Sequence, residues 1–227
     1  MKYIDLNVAP SSETVLSQHI EMALKLGYSG LGIGGNAIKD SMTESNLSLH
    51  PRTDLKAHRL PSLKKEARKA RNHFVISAVS LGSIDTANWA AEDSLIDILT
   101  LNPTSNEKLR KTTAKLAALN GTALEIIVNP LLTTKGLDRS RIIKIMRDTI
   151  HTAIHTGMDV ILTSGGKKPI QLRSPRAMYH IGIVLGLDAS AASAAICDNP
   201  YGIVAKNIKR LDESYILSGL EIVGEDS

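Results

Sequence analysis

At 227 residues, with 43% hydrophobic and 3% aromatic content, the chain can bury one sizeable core, and that core must be built mainly from Leu, Ile, Val and Ala. A single cysteine, Cys197, excludes an internal disulfide; no apolar run is long enough to span a bilayer, and Asp5 comes too early for a secretory signal, so a cytoplasmic protein is expected. The formal charge is only +4, but it is uneven: residues 52–71, RTDLKAHRLPSLKKEARKAR, hold eight Lys/Arg against two acids, and the rest of the chain is nearly balanced. A local surplus of this kind favours a polyanionic partner over a merely high isoelectric point.

Residues 3–8, YIDLNV, read as a strand with Asp5 and Asn7 on one face. Ser11 and Ser12 introduce a helix carrying Leu16, Ile20, Ala23 and Leu24 at helical spacing, closed by Gly27. Residues 31–33 form a second strand ending in the turn Gly34-Gly35-Asn36. Residues 36–46 are polar and read as a loop, and Leu47 and Leu49 alternate in a third strand over 46–50. Pro61 opens a helix with Leu63, Ala67 and Ala70 on one side. Lys64, Lys65, Arg68, Lys69 and Arg71 cover most of the remainder, opposed by Glu66 alone. That face is either a solvated surface or one that meets a polyanion.

A strand over 74–79 and a helix over 84–91 follow. A strand over 95–101 ends at Asn102-Pro103, and Ser105 is expected to cap a helix carrying Leu109, Leu116 and Leu119 up to Gly121. The next strand, 124–128, ends at Asn129-Pro130. A helix over 138–155 buries Ile142, Met146, Ile150 and Ala153 and turns Lys144, Arg147, His151 and His155 outward. His151 and His155 have a zinc-compatible spacing, but Thr152 stands where the metalloprotease pattern has glutamate.

The stretch 159–176, DVILTSGGKKPIQLRSPR, is the richest. Val160-Ile161-Leu162 lacks alternation, as a strand buried on both faces does. It runs into Thr163-Ser164-Gly165-Gly166, and both glycines are expected to adopt positive φ. Lys167, Lys168, Arg173 and Arg176 follow without a carboxylate, and Ser174-Pro175 marks a helix start. Open backbone donors, a helix N-terminus and four cations would make an anion site suited to phosphate; a solvated connection is the alternative. Helices over 175–185, 189–197 and 200–211 complete the chain, with Cys197 an inert thiol in the second.

Strand and helix alternate with short connections, so the strands are parallel. Seven candidate strands within 1–215 suggest an α/β TIM-like (β/α) barrel, seven-stranded or distorted, with 216–227 as a tail and a frayed end at 224–227; a doubly wound open sheet is the alternative. No dinucleotide fingerprint, phosphate-loop motif or G-x-S-x-G elbow is present.

VILTSGG, a short basic loop and LRSPR, followed by an apolar helix through LGLD, resemble the ribonuclease P thirty-kilodalton subunit family, which includes component 3 of the archaeal enzyme. YIDLN, LIDILTLNP, ALEIIVNPLL and DNPYGIV look like that family too, so the resemblance covers nearly the whole chain. It implies a TIM-like barrel related to the PHP metal-dependent phosphoesterases. Their Asp-x-His-x-His pattern is matched here by Asp5-Leu6-Asn7-Val8-Ala9, which lacks both imidazoles. It further implies no cofactor, no metal and no catalytic residue in the isolated chain. The partners implied are ribonuclease P RNA, precursor tRNA indirectly, and component 2 in an assembly of two plus two. Residues 36–62 depart from the family.

Three functions stay open on the residues. In the first, the chain is an RNA-binding subunit of ribonuclease P, the endonuclease that removes the 5′ leader of precursor tRNA. Phosphate contact would then fall to Ser164, Lys167, Lys168, Arg173 and Arg176, with Lys64, Lys65, Arg68, Lys69 and Arg71. In the second it is a PHP-type phosphoesterase, which requires Asp5, His50, Glu125 and Asn102 to converge. In the third it is a small-molecule barrel enzyme holding a substrate phosphate on residues 164–168.

Overall fold

The computed structural model describes residues 2–35, 37–56, 59–105, 108–211, 215–217 and 220–221. Its elements in order are β1 (Ile4–Val8), α1 (Glu13–Leu26), β2 (Gly30–Gly34), β3 (Met42–Glu44), β4 (Leu47–Leu55), α2 (Leu60–Ala70), β5 (Ile76–Ser80), α3 (Ile84–Glu92), β6 (Ile98–Leu101), α4 (Lys111–Asn120), β7 (Ala123–Ile127), α5 (Asn129–Thr133), α6 (Gly136–Thr156), β8 (Val160–Thr163), α7 (Pro175–Leu185), α8 (Ala189–Ala194), α9 (Asp198–Leu211), β9 (Tyr215–Leu217) and β10 (Leu220–Glu221).

Among the described residues, seven strands pair in parallel in the order β1-β2-β4-β5-β6-β7-β8. The ends of this sheet meet: Val8 bridges Gly166 in parallel, and the Ala9 N–H donates to the Gly166 carbonyl at 2.9 Å. The sheet is therefore a nearly closed barrel, not an open doubly wound layer, and its seven strands are those the sequence pattern picks out.

Each strand exposes one face to the helices and one to the interior. On β2, sequence GLGIG, Leu31 and Ile33 pack outward with Leu16, Ile20 and Ala23 of α1. The inward face of β2 is bare: a Cβ on Gly32 would overlap the Leu6 carbonyl oxygen and press on Ile76 Cδ1. Glycine is required there because seven strands leave a narrower lumen than eight.

The interior is stacked in two layers of opposite character. The lower one, toward the N-terminal ends of the strands, is apolar: Ile4, Leu6, Ile76, Ala78, Ile98, Ala123 and Ile161, joined by Val204 of α9. Helix α9 lies against that end. Asn199 Nδ2 donates to the Val160 carbonyl at 2.9 Å, and Arg210 Nη1 donates to the Arg71 carbonyl at 2.6 Å. The upper layer is polar and is described with the site below.

Four local expectations change. The loop over 36–46 contains β3, which returns antiparallel onto β4 through Ser45 and Asn46, at φ 51° and 68°. Both central residues of that two-residue turn sit in the left-handed region, the geometry a tight hairpin needs. Strand β4 is nine residues long and carries Arg52 into the interior. Ser105 is not the cap of α4, which begins at Lys111 with Arg110 at its N-cap; the Ser105 hydroxyl donates to the Asn102 carbonyl at 2.9 Å. Helix α9 starts at Asp198 rather than at the expected residue 200, so Asn199 lies inside it, with its side chain donating to Val160. Of the expected tail, β10 and the last two residues of β9 are described and pair antiparallel; the end at 224–227 lies outside the described residues. Among the described residues no helix is long and apolar enough to cross a membrane.

Candidate nucleic-acid interface

Barrel enzymes place their chemistry at the C-terminal ends of the strands. Here that level of the lumen is filled. Glu125 of β7 receives Arg52 Nη1 on Oε1 and Nη2 on Oε2, both at 2.7 Å. The same carboxylate accepts from Thr163 at 2.8 Å, from Asn7 Nδ2 at 3.0 Å and from Thr100 at 2.6 Å. Arg52 also donates to the Leu6 carbonyl at 2.9 Å and to half-exposed Asp54 at 2.7 Å.

Both ions are fully buried. Burial by itself would drive Glu125 up, but Arg52 and the hydroxyl donors outweigh it and hold the carboxyl below its ordinary range. Burial works against the guanidinium charge as well; Glu125 and Asp54 overcome it and leave Arg52 more basic than usual. A carboxylate with every lone-pair direction occupied, facing a cation that cannot deprotonate, is neither a general base nor an available metal ligand.

Asp5, beside this pair, accepts the Ser164 N–H on both oxygens at 3.2 and 3.1 Å and the Asn7 N–H at 3.1 Å. Burial nevertheless dominates and pushes its pKa to about 6. His50 lies lower on β4 with Nδ1 3.2 Å from Ser41 Oγ, and Asn102 is exposed with its carboxamide oxygen turned onto Thr104. The four residues a PHP-type hydrolase would need therefore do not converge, and that alternative is not supported.

The loop after β8 also differs from expectation. Gly165 has φ +63°, and a Cβ there would overlap Ile127 Cγ2; Gly166 has no positive φ and serves as the bridge to Val8. The donors expected to be open are taken. Lys167 and Lys168 N–H both donate to Gln171 Oε1, at 2.8 and 3.0 Å. The Gly166 N–H donates to Ser164 Oγ, and Ser174 Oγ caps Ala177. Ser164 itself is 1% exposed and belongs to the packing around Asp5. What the loop offers an anion is side chains: exposed Lys167, Lys168 and Arg176, and half-buried Arg173, whose Nη1 already donates to two backbone carbonyls. It is a cationic surface, not a backbone cradle.

On α2 the set divides. Lys65, Arg68 and Lys69 are exposed, and Lys64 lies half-buried with Nζ 5.8 Å from the Trp89 ring centre. Arg71 is buried, donating to Asp97 at 3.0 Å and to Asn207 at 3.1 Å, with Asp97 also accepting the Ser77 N–H. It leaves the candidate contact set because its guanidinium is committed to joining α2, β6 and α9. The two basic groups are not brought together: α2 flanks β4 and β5, and the loop follows β8, with β1 and β2 between them around the barrel.

Beyond Lys56 and Arg59 of the basic run 52–71, the structure adds cations that no local charge run reveals. Loops leaving the C-terminal ends of the strands carry exposed Lys39 after β2, Lys56 and Arg59 after β4, Lys108, Arg110 and Lys111 after β6, and Lys135 after β7. Of the connections at the opposite end, those at 27–29, 93–97, 121–122 and 157–159 contain no Lys or Arg, and 71–75 carries only the buried Arg71. The sequence spreads these residues one to three per connection, so only the barrel's closure collects them.

Fold and site together define a class: a closed parallel (β/α) barrel whose catalytic level is locked by an internal ion pair and whose C-terminal rim is cationic. Within that class, the chain belongs to the RNase P subunit p30 family, whose family model matches residues 2–212. It is 27% identical to Ribonuclease P protein component 3 of Methanosarcina acetivorans, over 97% of this chain and 95% of that protein. It is 25% identical to the component 3 of Methanococcoides burtonii, over 96% and 92%. A chain in a cryo-EM structure of archaeal Ribonuclease P with mature tRNA superposes with a TM-score of 0.81 at 18% identity, covering 99% of both chains.

Proposed function

We propose that the protein is a non-catalytic subunit of ribonuclease P that binds and supports the catalytic RNA, with its cationic rim turned toward phosphates. The observation that carries this reading is the concentration of exposed lysines and arginines at one end of a barrel whose interior is already paired. Such side chains, lacking a backbone cradle, position a protein on an RNA backbone without reading its bases. Lys167, Lys168, Arg173 and Arg176 belong to that surface; Lys64, Lys65, Arg68 and Lys69 form a second, lateral one. The reading further assigns the protein to the cytoplasm, with component 2 as its partner protein, two copies of each. The relatives named above support the ribonuclease P subunit reading by family.

The test is reconstitution. Removal of the 5′ leader from precursor tRNA by the cognate RNA and its other proteins is measured with and without this chain, and the chain is then assayed alone. The expected result is activity that requires RNA and rises when the chain is added. Turnover by the isolated protein, or a particle indifferent to its omission, rejects the reading.

A further inference from the structure

The lumen is filled at the end where barrels react, and at the other end α9 packs against the apolar layer. Between α9 and the lower parts of β1, β2 and β4 lies a cavity of about 590 Å³, a size typical of small-molecule sites. Its apolar wall includes Ile4 of the lower core layer and Val204 of α9. His50, 4% exposed, lines it; Nδ1 meets Ser41, and the other ring nitrogen makes no hydrogen bond among the described residues. Burial pushes the His50 pKa down to about 4, so the ring is neutral near pH 7 and offers one donor or acceptor rather than a charge. Ser48 spends its hydroxyl proton on the Ser29 carbonyl at 3.0 Å and keeps its oxygen as an acceptor. At the opening stand Lys2, with Nζ 5.4 Å from the centre of the half-exposed Tyr201 ring, and Lys209.

These groups specify a ligand in three parts. The apolar wall takes a flat body, the imidazole nitrogen and the serine oxygen take a polar edge, and the ammonium beside the aromatic ring takes an anion. We propose that this cavity binds one nucleoside monophosphate unit, its base inside against His50 and its phosphate at Lys2. The unit is a free nucleotide or an unpaired nucleotide of an RNA strand. The choice of a nucleotide over another flat anion rests on the ribonucleoprotein reading above; the cavity and its unsatisfied imidazole nitrogen do not. The site is at the opposite end of the barrel from the cationic rim, so it would hold an RNA feature that the rim does not touch.

The test uses the full chain. Its histidine ring signals are followed by NMR during titration with AMP, CMP, GMP and UMP separately, then with a short single-stranded oligonucleotide; the His50 signal is assigned from His50→Gln. Binding is expected to move the His50 resonance saturably. Ala205→Trp, which adds a side chain at an exposed cavity-lining position of α9, is expected to weaken binding at least about tenfold with an unchanged thermal transition. A response to mononucleotides identifies a free nucleotide as sufficient. A response to the oligonucleotide alone identifies the strand as the source. If neither ligand moves the His50 signal, or if Ala205→Trp binds as the parent does, the inference is wrong. The ribonucleoprotein reading stands or falls separately, on processing by the reconstituted particle with the rim lysines replaced.

Discussion

Two buried carboxylates a few residues apart in space carry opposite pH signatures. Asp5 has its pKa raised from 3.8 to about 6 by burial. The native state therefore keeps a proton that the unfolded chain releases, and stability falls as pH rises from about 4 to about 6. Asp5→Asn keeps an oxygen acceptor for the Ser164 N–H and removes that falling limb. Relative to the parent it should gain about 3 kcal/mol at pH 7, an upper figure for a two-unit shift. Urea unfolding of both proteins across pH 4–8 measures this, and parallel curves would refute it. Glu125 behaves in the reverse sense: its lowered pKa contributes stability above the ordinary carboxylate range and loses it in acid. Replacing one partner of the Arg52–Glu125 pair leaves a buried, unmatched charge. Arg52→Met or Glu125→Leu alone should cost about 3–5 kcal/mol, and the double variant should recover most of it. Additive losses in a double-mutant cycle would show that the pair is not coupled. None of this was legible in the sequence. Arg52 sits in a run of cations, Glu125 in an apolar strand, and nothing local says that two residues 73 positions apart are folded one onto the other.

Helix α2 shows why a charge run misleads at the level of the element. Its buried stripe, Leu63, Ala67 and Ala70, follows directly from helical spacing. The cations around that stripe do not share one fate, because the helix ends where the chain turns inward and Arg71 is drawn to Asp97. Arg71→Ala should lower the thermal transition and the unfolding free energy by about 3–5 kcal/mol through the unpaired Asp97. The triple variant Lys65→Ala, Arg68→Ala, Lys69→Ala should stay within about 0.5 kcal/mol of the parent, as surface changes do, and should weaken RNA association. Calorimetry beside RNA titration separates the two roles; a stable Arg71→Ala protein would return that residue to the surface set. The loop after β8 teaches the complementary lesson. Its strand, its Ser174 cap and the need for glycine at 165 were readable from residue types. The closure of its amides by Gln171 was not, since a polar side chain four residues on can equally face water.

At the scale of the whole molecule the barrel sorts charge that the chain leaves scattered. Strand order was readable from alternation and connection length, whereas the cationic rim needed closure to exist, because Lys39, Lys56, Lys108 and Lys135 are far apart in sequence and share only an end of the barrel. If the rim tracks RNA phosphates, each lost contact should reduce the slope of log affinity against log salt by about one unit. Lys167→Ala with Lys168→Ala should therefore flatten the slope, so that the loss of affinity relative to the parent is largest at low salt and narrows as salt rises. Identical salt profiles for parent and variant would reduce these lysines to solvated surface. The seam between β1 and β8 carries a consequence of another kind. Val8 meets Gly166, so the first strand cannot complete its pairing until nearly three-quarters of the polypeptide exists. At a synthesis rate of about 5–20 residues per second, the nascent strand keeps a bare edge for on the order of ten seconds. During that interval it can template pairing with a neighbouring chain. The barrel's last hydrogen bonds are thus also its protection against aggregation during translation, and the step at which a folding catalyst would have the most to do.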